Sequence, residues 1–102
     1  MRILKFSAIW CQPCSELAKR IESLRASWDG FKKVSFTEFD IDDEKTDELV
    51  SKYEIKNIPT LVMLPDDNDD EVLLKLIGVV SEEQLKMSIE KAQESEKEKR
   101  EV

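Results

Sequence analysis

Histidine is absent from the 102 residues, and the chain holds only two cysteines, two glycines and three prolines. Without histidine there is no imidazole to serve as a base near neutral pH, and every Cys/His zinc pattern is excluded. So little glycine and proline excludes a low-complexity or loop-dominated chain and favours regular secondary structure. No apolar run approaches the length of a membrane span, and the stretch MRILKFSAIW is broken by Lys5 and too short for a signal-peptide core. The protein is therefore expected in the cytoplasm, away from membranes. Positive charge is in deficit: 16 Lys and Arg against 23 Asp and Glu give a formal net charge of -7. Such a field repels phosphates and argues against nucleic acid or an anionic membrane as the main partner. A chain of this length has room for one hydrophobic core and one domain.

What is present is a succession of well-marked elements. Arg2 to Ala8, with Ile3, Leu4 and Phe6, reads as a short strand. From Pro13 onward Leu17, Ile21, Leu24 and Trp28 form one stripe of an amphipathic helix, which Asp29-Gly30 terminates. Lys33 to Ile41 carries Val34, Phe36, Phe39 and Ile41 and predicts a second strand. The acidic run Asp40 to Glu44 suits the start of a second helix, with Leu49, Val50 and Tyr53 toward the core. Pro59 disfavours helix at Ile58, so this helix should end near Tyr53 and Thr60 to Leu64 should form the third strand. A turn over Pro65 to Asp70 leads to a fourth strand, Glu71 to Ile77. The acidity of that turn suggests calcium, but Glu71 stands where an EF-hand loop needs glycine, so a solvated hairpin turn is expected. Ser81 followed by Gln84 is a capping-box pattern, opening a last helix with Leu85, Ile89 and Ala92 on one face. Residues 93–102 are a charged tail that continues this helix or frays from it. The order β-α-β-α-β-β-α predicts an α/β domain over residues 1–92. Its first two strands should be parallel and its last two antiparallel, in a four-stranded mixed sheet with helices on both faces.

The chemistry left to this chain is mostly that of its thiols. Cys11-Gln12-Pro13-Cys14 sits where a buried strand passes into a helix, so the first cysteine is presented near unpaired backbone N–H groups that favour a thiolate. Pro13 suits the first helical turn, where its missing N–H is not needed. Three plainer roles stay open on the residues alone, and each meets an objection. A structural disulfide closing so short a loop gains little chain entropy. A zinc site needs further ligands from carboxylates or a second subunit. Two merely buried cysteines would leave this spacing and placement without a reason.

Trp10-Cys11-Gln12-Pro13-Cys14, Phe39-Asp40-Ile41-Asp42, Tyr53-Glu54-Ile55, Ile58-Pro59-Thr60 and Gly78 together make the chain resemble the thioredoxin family down to about Ala92. The resemblance implies a minimal thioredoxin-like fold and a thiol-disulfide oxidoreductase that reduces protein disulfides through a reversible Cys11-Cys14 dithiol/disulfide. It makes Cys11 the exposed attacking thiolate and Cys14 the resolving thiol. Trp10, Gln12, Pro13, Ile58, Pro59, Thr60 and Gly78 become the surface around the site. It also implies a cis bond before Pro59, leaving the Ile58 backbone free to pair with an extended substrate; an ordinary trans turn proline is the plainer reading. Expected partners are protein disulfides and a thioredoxin-reductase-like electron donor. The chain is expected to be a monomer with no metal and no cofactor beyond the disulfide. Two other readings are a glutaredoxin-like protein reduced by glutathione and a binding subunit whose cysteines are dispensable.

The departures from the family are as informative. Only ten residues precede the cysteine motif, which implies a short form without the usual first strand and helix. Lys5 stands where most members place a buried aspartate, and Glu38 where they place its lysine partner. Strand alternation puts both on faces that look buried, and two buried opposite charges on adjacent strands should pair. The pair is expected to act as a proton relay beneath Cys14. Lys5 would favour the thiolate forms and make the protein more oxidising than a usual member.

Overall fold

Pairing on both sides of one nearly continuous apolar strand organises the molecule; the computed structural model describes residues 1–100. That strand, β1 (Arg2–Ser7), lies parallel to β2 (Ser35–Asp40) and antiparallel to β3 (Thr60–Leu64). β3 in turn pairs antiparallel with β4 (Leu74–Ile77), and the sheet order is β2-β1-β3-β4. Helix α1 (Gln12–Ser27) links β1 to β2, α2 (Asp47–Lys52) lies between β2 and β3, and α3 (Glu82–Arg100) follows β4.

The alternation of side chains across β1 and β3 divides the core in two. Ile3, Leu61 and Met63 pack with Leu17, Ile21 and Leu24 of α1 and with Leu85, Ile89 and Ala92 of α3. On the other face Leu4, Phe6, Val62 and Leu64 pack with Tyr53, and Leu49 and Val50 of α2 lie against them. The sheet is thus mixed and has helices on both faces, the α/β architecture expected from the order of elements. Among the described residues no helix is long and apolar enough to cross a membrane.

Several boundaries differ from those expected. α1 stops at Ser27, and Trp28, expected as the last member of its apolar stripe, is the extended C-cap residue. Its indole lies under the Lys86 ammonium and fills the space that a β-carbon on Gly30 would need. A short 3-10 turn over Asp29–Lys33 follows, so β2 begins at Ser35 instead of Lys33. Likewise β4 begins at Leu74, not Glu71. The acidic segment before it is drawn over the end of α2, where Tyr53 donates to the Asp69 carbonyl at 2.8 Å and Lys52 pairs with Asp70 at 2.9 Å. Ser81 caps α3 by accepting the Gln84 N–H at 3.1 Å. The charged segment from Gln93 continues α3 to Arg100, while residues 101–102 of the expected tail lie outside the described residues.

Ile89 is fully buried between α3 and the sheet. Ile89→Ala is expected to lower the unfolding free energy by about 2–5 kcal/mol, read from urea denaturation. Burial raises the Tyr53 phenol above its ordinary value of 10.0. Folding therefore favours the neutral phenol, and its contribution is complete below the unfolded value and lost as pH rises through the folded one. Tyr53→Phe loses the bond to Asp69 but should show a shallower fall of the urea midpoint above about pH 10.

Candidate functional site

β1 ends at Ser7, and the chain turns through Ala8, Ile9 and Trp10 into α1, the turn being closed by the Cys11 N–H donating to the Ala8 carbonyl at 3.1 Å. Cys11 is the N-cap of α1, with extended backbone, and Pro13 occupies the first turn. The Cys14 N–H donates to Cys11 Sγ at 3.2 Å, so the sulfur takes the place that a serine or aspartate oxygen takes at other helix starts. No acidic residue lies in this first turn, leaving the positive end of the helix dipole directed at the sulfur. Cys11 and Cys14 form a disulfide with Cα atoms 5.2 Å apart.

Cys11, expected to be exposed, is only 6% exposed against 3% for Cys14. In the disulfide its sulfur is drawn toward Cys14, and the two cysteines form a small apolar cluster with Ala8, against which Ile41 and Ile58 pack. The exposed residues here are Gln12 and Pro13, which open α1, and the pair before the motif: Ile9 at 94% and Trp10 at 68%. Trp10 Nε1 donates to Asp42 Oδ2 at 2.8 Å, tying the β1–α1 turn to the segment after β2. A groove of about 300 Å³ beside it is lined by Trp10, Ile41, Val50, Ile55 and Ile58 among others.

Register brings the remaining residues to the same end of the sheet. Phe6 lies opposite Thr60, so the start of β3 stands beside the end of β1. The Ile58-Pro59 peptide is cis. Gly78, with a φ of +88° that favours glycine, donates its N–H to the Pro59 carbonyl at 2.8 Å. Pro59 and Thr60 were expected on the contact surface, but their side chains are buried. Thr60 opens a strand paired on both sides, and its hydroxyl turns back to the Asn57 carbonyl at 2.6 Å. The half-buried residues at this edge are Ile58 and Gly78.

Lys5 and Glu38 are register partners on β1 and β2, with Lys5 Nζ 3.7 Å from Glu38 Oε1. Lys5 is buried as expected, at 2%, but the Glu38 side chain is 57% exposed. The correction follows from topology: β2 is an edge strand none of whose residues is fully buried, so the face Glu38 shares with Phe36 stays open to solvent there. Lys5 Nζ also donates to the Cys14 carbonyl at 3.5 Å, and Ser7 Oγ donates to Glu38 Oε1 at 3.1 Å. These residues and both cysteines line a cleft of about 110 Å³.

Sequence reasoning missed two residues at the site, Ile9 and Asp42. Ile9 falls just past the strand expected over Arg2 to Ala8, and its apolar side chain in the turn before the cysteines was the signal available. Asp42 was read only as part of the Phe39-Asp40-Ile41-Asp42 stretch that carries the resemblance, and its bond to Trp10 joins segments 32 residues apart. Together the parts form a setting for thiol–disulfide exchange: two bonded sulfurs, one at a helix start, beside an apolar contact surface.

Comparison with known proteins agrees with this arrangement. The family model described as Thioredoxin matches residues 1–91. The thioredoxin of Staphylococcus saprophyticus subsp. saprophyticus is 32% identical over 91 residues, covering 89% of this chain and 81% of that protein. Among solved structures, thioredoxin-2, described as a component of the malaria parasite's protein secretion machinery, matches with a TM-score of 0.72 at 26% identity. That match covers 88% of this chain and 81% of the other. Chloroplastic thioredoxin z matches with a TM-score of 0.70 at 27% identity, covering 90% and 77%. The chain belongs to the thioredoxin family, and its paired cysteines at the head of α1 make it a thiol-disulfide oxidoreductase.

Proposed function

We propose that the chain reduces disulfides in other proteins, with Cys11 attacking, Cys14 resolving, and a thioredoxin-reductase-like donor returning the electrons. The observation that carries the assignment of roles is the Cys14 N–H held on Cys11 Sγ at the start of α1. A hydrogen bond and a helix end both favour negative charge on that sulfur over its partner.

In the reduced protein the Cys11 thiolate attacks one sulfur of the substrate disulfide. A Cys11–substrate bond forms, the substrate S–S bond breaks, and the departing substrate thiolate takes a proton from solvent. Cys14 then loses its proton and attacks Cys11 Sγ. The Cys11–Cys14 bond forms, the second substrate thiolate leaves, and two electrons have passed to the substrate. The donor supplies two electrons to reopen the pair.

Substrate contact falls to the exposed apolar residues around the sulfurs. Ile9 and Trp10 precede the motif, Gln12 and Pro13 open the helix, and half-buried Ile58 and Gly78 join them at this end of the sheet, with Pro59 and Thr60 buried behind the exposed residues. An extended peptide laid along Ile58 would meet the backbone of the segment that leads into β3 as well as the groove beside Trp10. A single copy of the chain holds all these parts, and a reductase of this kind suits a reducing compartment such as the cytoplasm.

Cys11→Ser should abolish reduction of a small disulfide-bonded protein in a coupled assay with NADPH and a flavin-dependent reductase. Under the same conditions Cys14→Ser should accumulate a covalent adduct with the substrate, seen as a mass increase that dithiothreitol removes. Activity supported by glutathione alone, and not by the reductase, would overturn the proposed donor. Ile9→Ser should raise the KM for protein substrates several-fold, the cost of roughly 1 kcal/mol of lost apolar contact, with little change in the reduction potential.

A further inference from the structure

Lys5 is a buried ammonium in a place where the chemistry of the site adds and removes a negative charge. It lies on the β1 face that carries Ile3, under the start of α1, and is among the most buried side chains of the protein. An ammonium carries three donors, and taking it out of water is costly unless its charge is met. The Cys14 carbonyl, at 3.5 Å, is at the outer limit of a hydrogen bond. Glu38 Oε1, at 3.7 Å, is the counter-charge, but that carboxylate stands mostly in solvent and the same oxygen accepts from Ser7. The positive charge of Lys5 is thus only partly compensated while the sulfurs are bonded and neutral.

Reduction changes that balance. The Cys11–Cys14 bond takes up two electrons and one proton and opens to one thiolate and one thiol. The new anion faces the cleft that Lys5, Ser7, Cys11, Cys14 and Glu38 line together. We propose that Lys5 is a positioning residue that acts on the redox pair through its charge, stabilising the reduced over the oxidised state, with Glu38 as the partial counter-charge that limits the effect. This rests on the reading of Cys11 and Cys14 as a reversible couple and deepens it.

The exposure of Glu38 also separates the two roles that a buried pair would have combined. When Cys14 attacks Cys11 Sγ, its proton must leave as the S–S bond to Cys11 forms and the Cys11–substrate bond breaks, the electron pair departing on the substrate sulfur. The cleft gives that proton a way past Glu38 to solvent, while Lys5, which has no lone pair to receive it, holds the sulfur anionic. Lys5 acts on the charge of the sulfur, and Glu38 stands on the exit.

The test is the equilibrium of the purified full chain with a dithiothreitol redox buffer, read by alkylation of free thiols and mass. Lys5→Met keeps the volume and removes the charge. It should move the equilibrium constant roughly tenfold toward the disulfide, about 30 mV more negative for a two-electron couple. Glu38→Gln should move it several-fold the other way. The thiolate absorbance of the reduced protein should appear at higher pH in Lys5→Met and at lower pH in Glu38→Gln. Wild-type equilibria in both variants, or shifts of the same sign, would overturn the proposal and leave Lys5 a packing residue. If Lys5→Met does not fold, by circular dichroism, the exposed Glu38→Gln carries the test, and an unshifted equilibrium there overturns it. The measurement needs no substrate turnover. A wild-type protein that reduces no protein disulfide, yet shows these opposed shifts, would sink the reductase role and sustain this one.

Discussion

The double pairing of β1 is the constraint on which the other features rest. Because β2 lies on one side and β3 on the other, every residue of β1 after Arg2 is buried, and the strand can be apolar on both faces. The loss of that pairing would expose both halves of the core at once, since Ile3 belongs to one and Leu4 and Phe6 to the other. The same burial holds the end of the strand still, and the cysteines follow that end within one turn.

Strand direction then gathers the site. β1 and β2 are parallel, so Ser7 and Asp40 finish at one end of the sheet. β3 is antiparallel to both and starts there, and β4, antiparallel to β3, finishes there. Four segments distant in sequence therefore meet: the β1–α1 turn with Trp10, the stretch after β2 with Asp42, Ile58 before β3, and Gly78 after β4. Two hydrogen bonds record the meeting, Trp10 to Asp42 and Gly78 to Pro59. Ligand sites of open α/β sheets form at such an end because the loops there converge while the strands beneath stay rigid.

The charge arrangement obeys the same geometry. Lys5 sits on the central strand and is covered by α1, whereas Glu38 sits opposite on the edge strand and reaches water. Two residues in register can therefore occupy very different dielectrics. Their pairing is lopsided, one charge buried and the other screened, and the buried one lies toward the sulfurs.

How much of this was legible can be read from particular residues. The periodicity of Leu17, Ile21 and Leu24, the Ser81 cap, the apolar run of β1 and the Cys11–Cys14 spacing are local properties, set by helix and strand geometry and by backbone chemistry within a few residues. They sufficed for the order of elements, the fold class and the thiol chemistry. Tertiary structure alone decided what depends on neighbours distant in the chain. It drew the acidic segment over α2 and shortened β4, buried Pro59 and Thr60, left Ile9 exposed beside the disulfide, and placed Glu38 in water while Lys5 stayed dry. Alternation along a strand says which residues share a face; only the strand order, and what packs on that face, says whether it is covered.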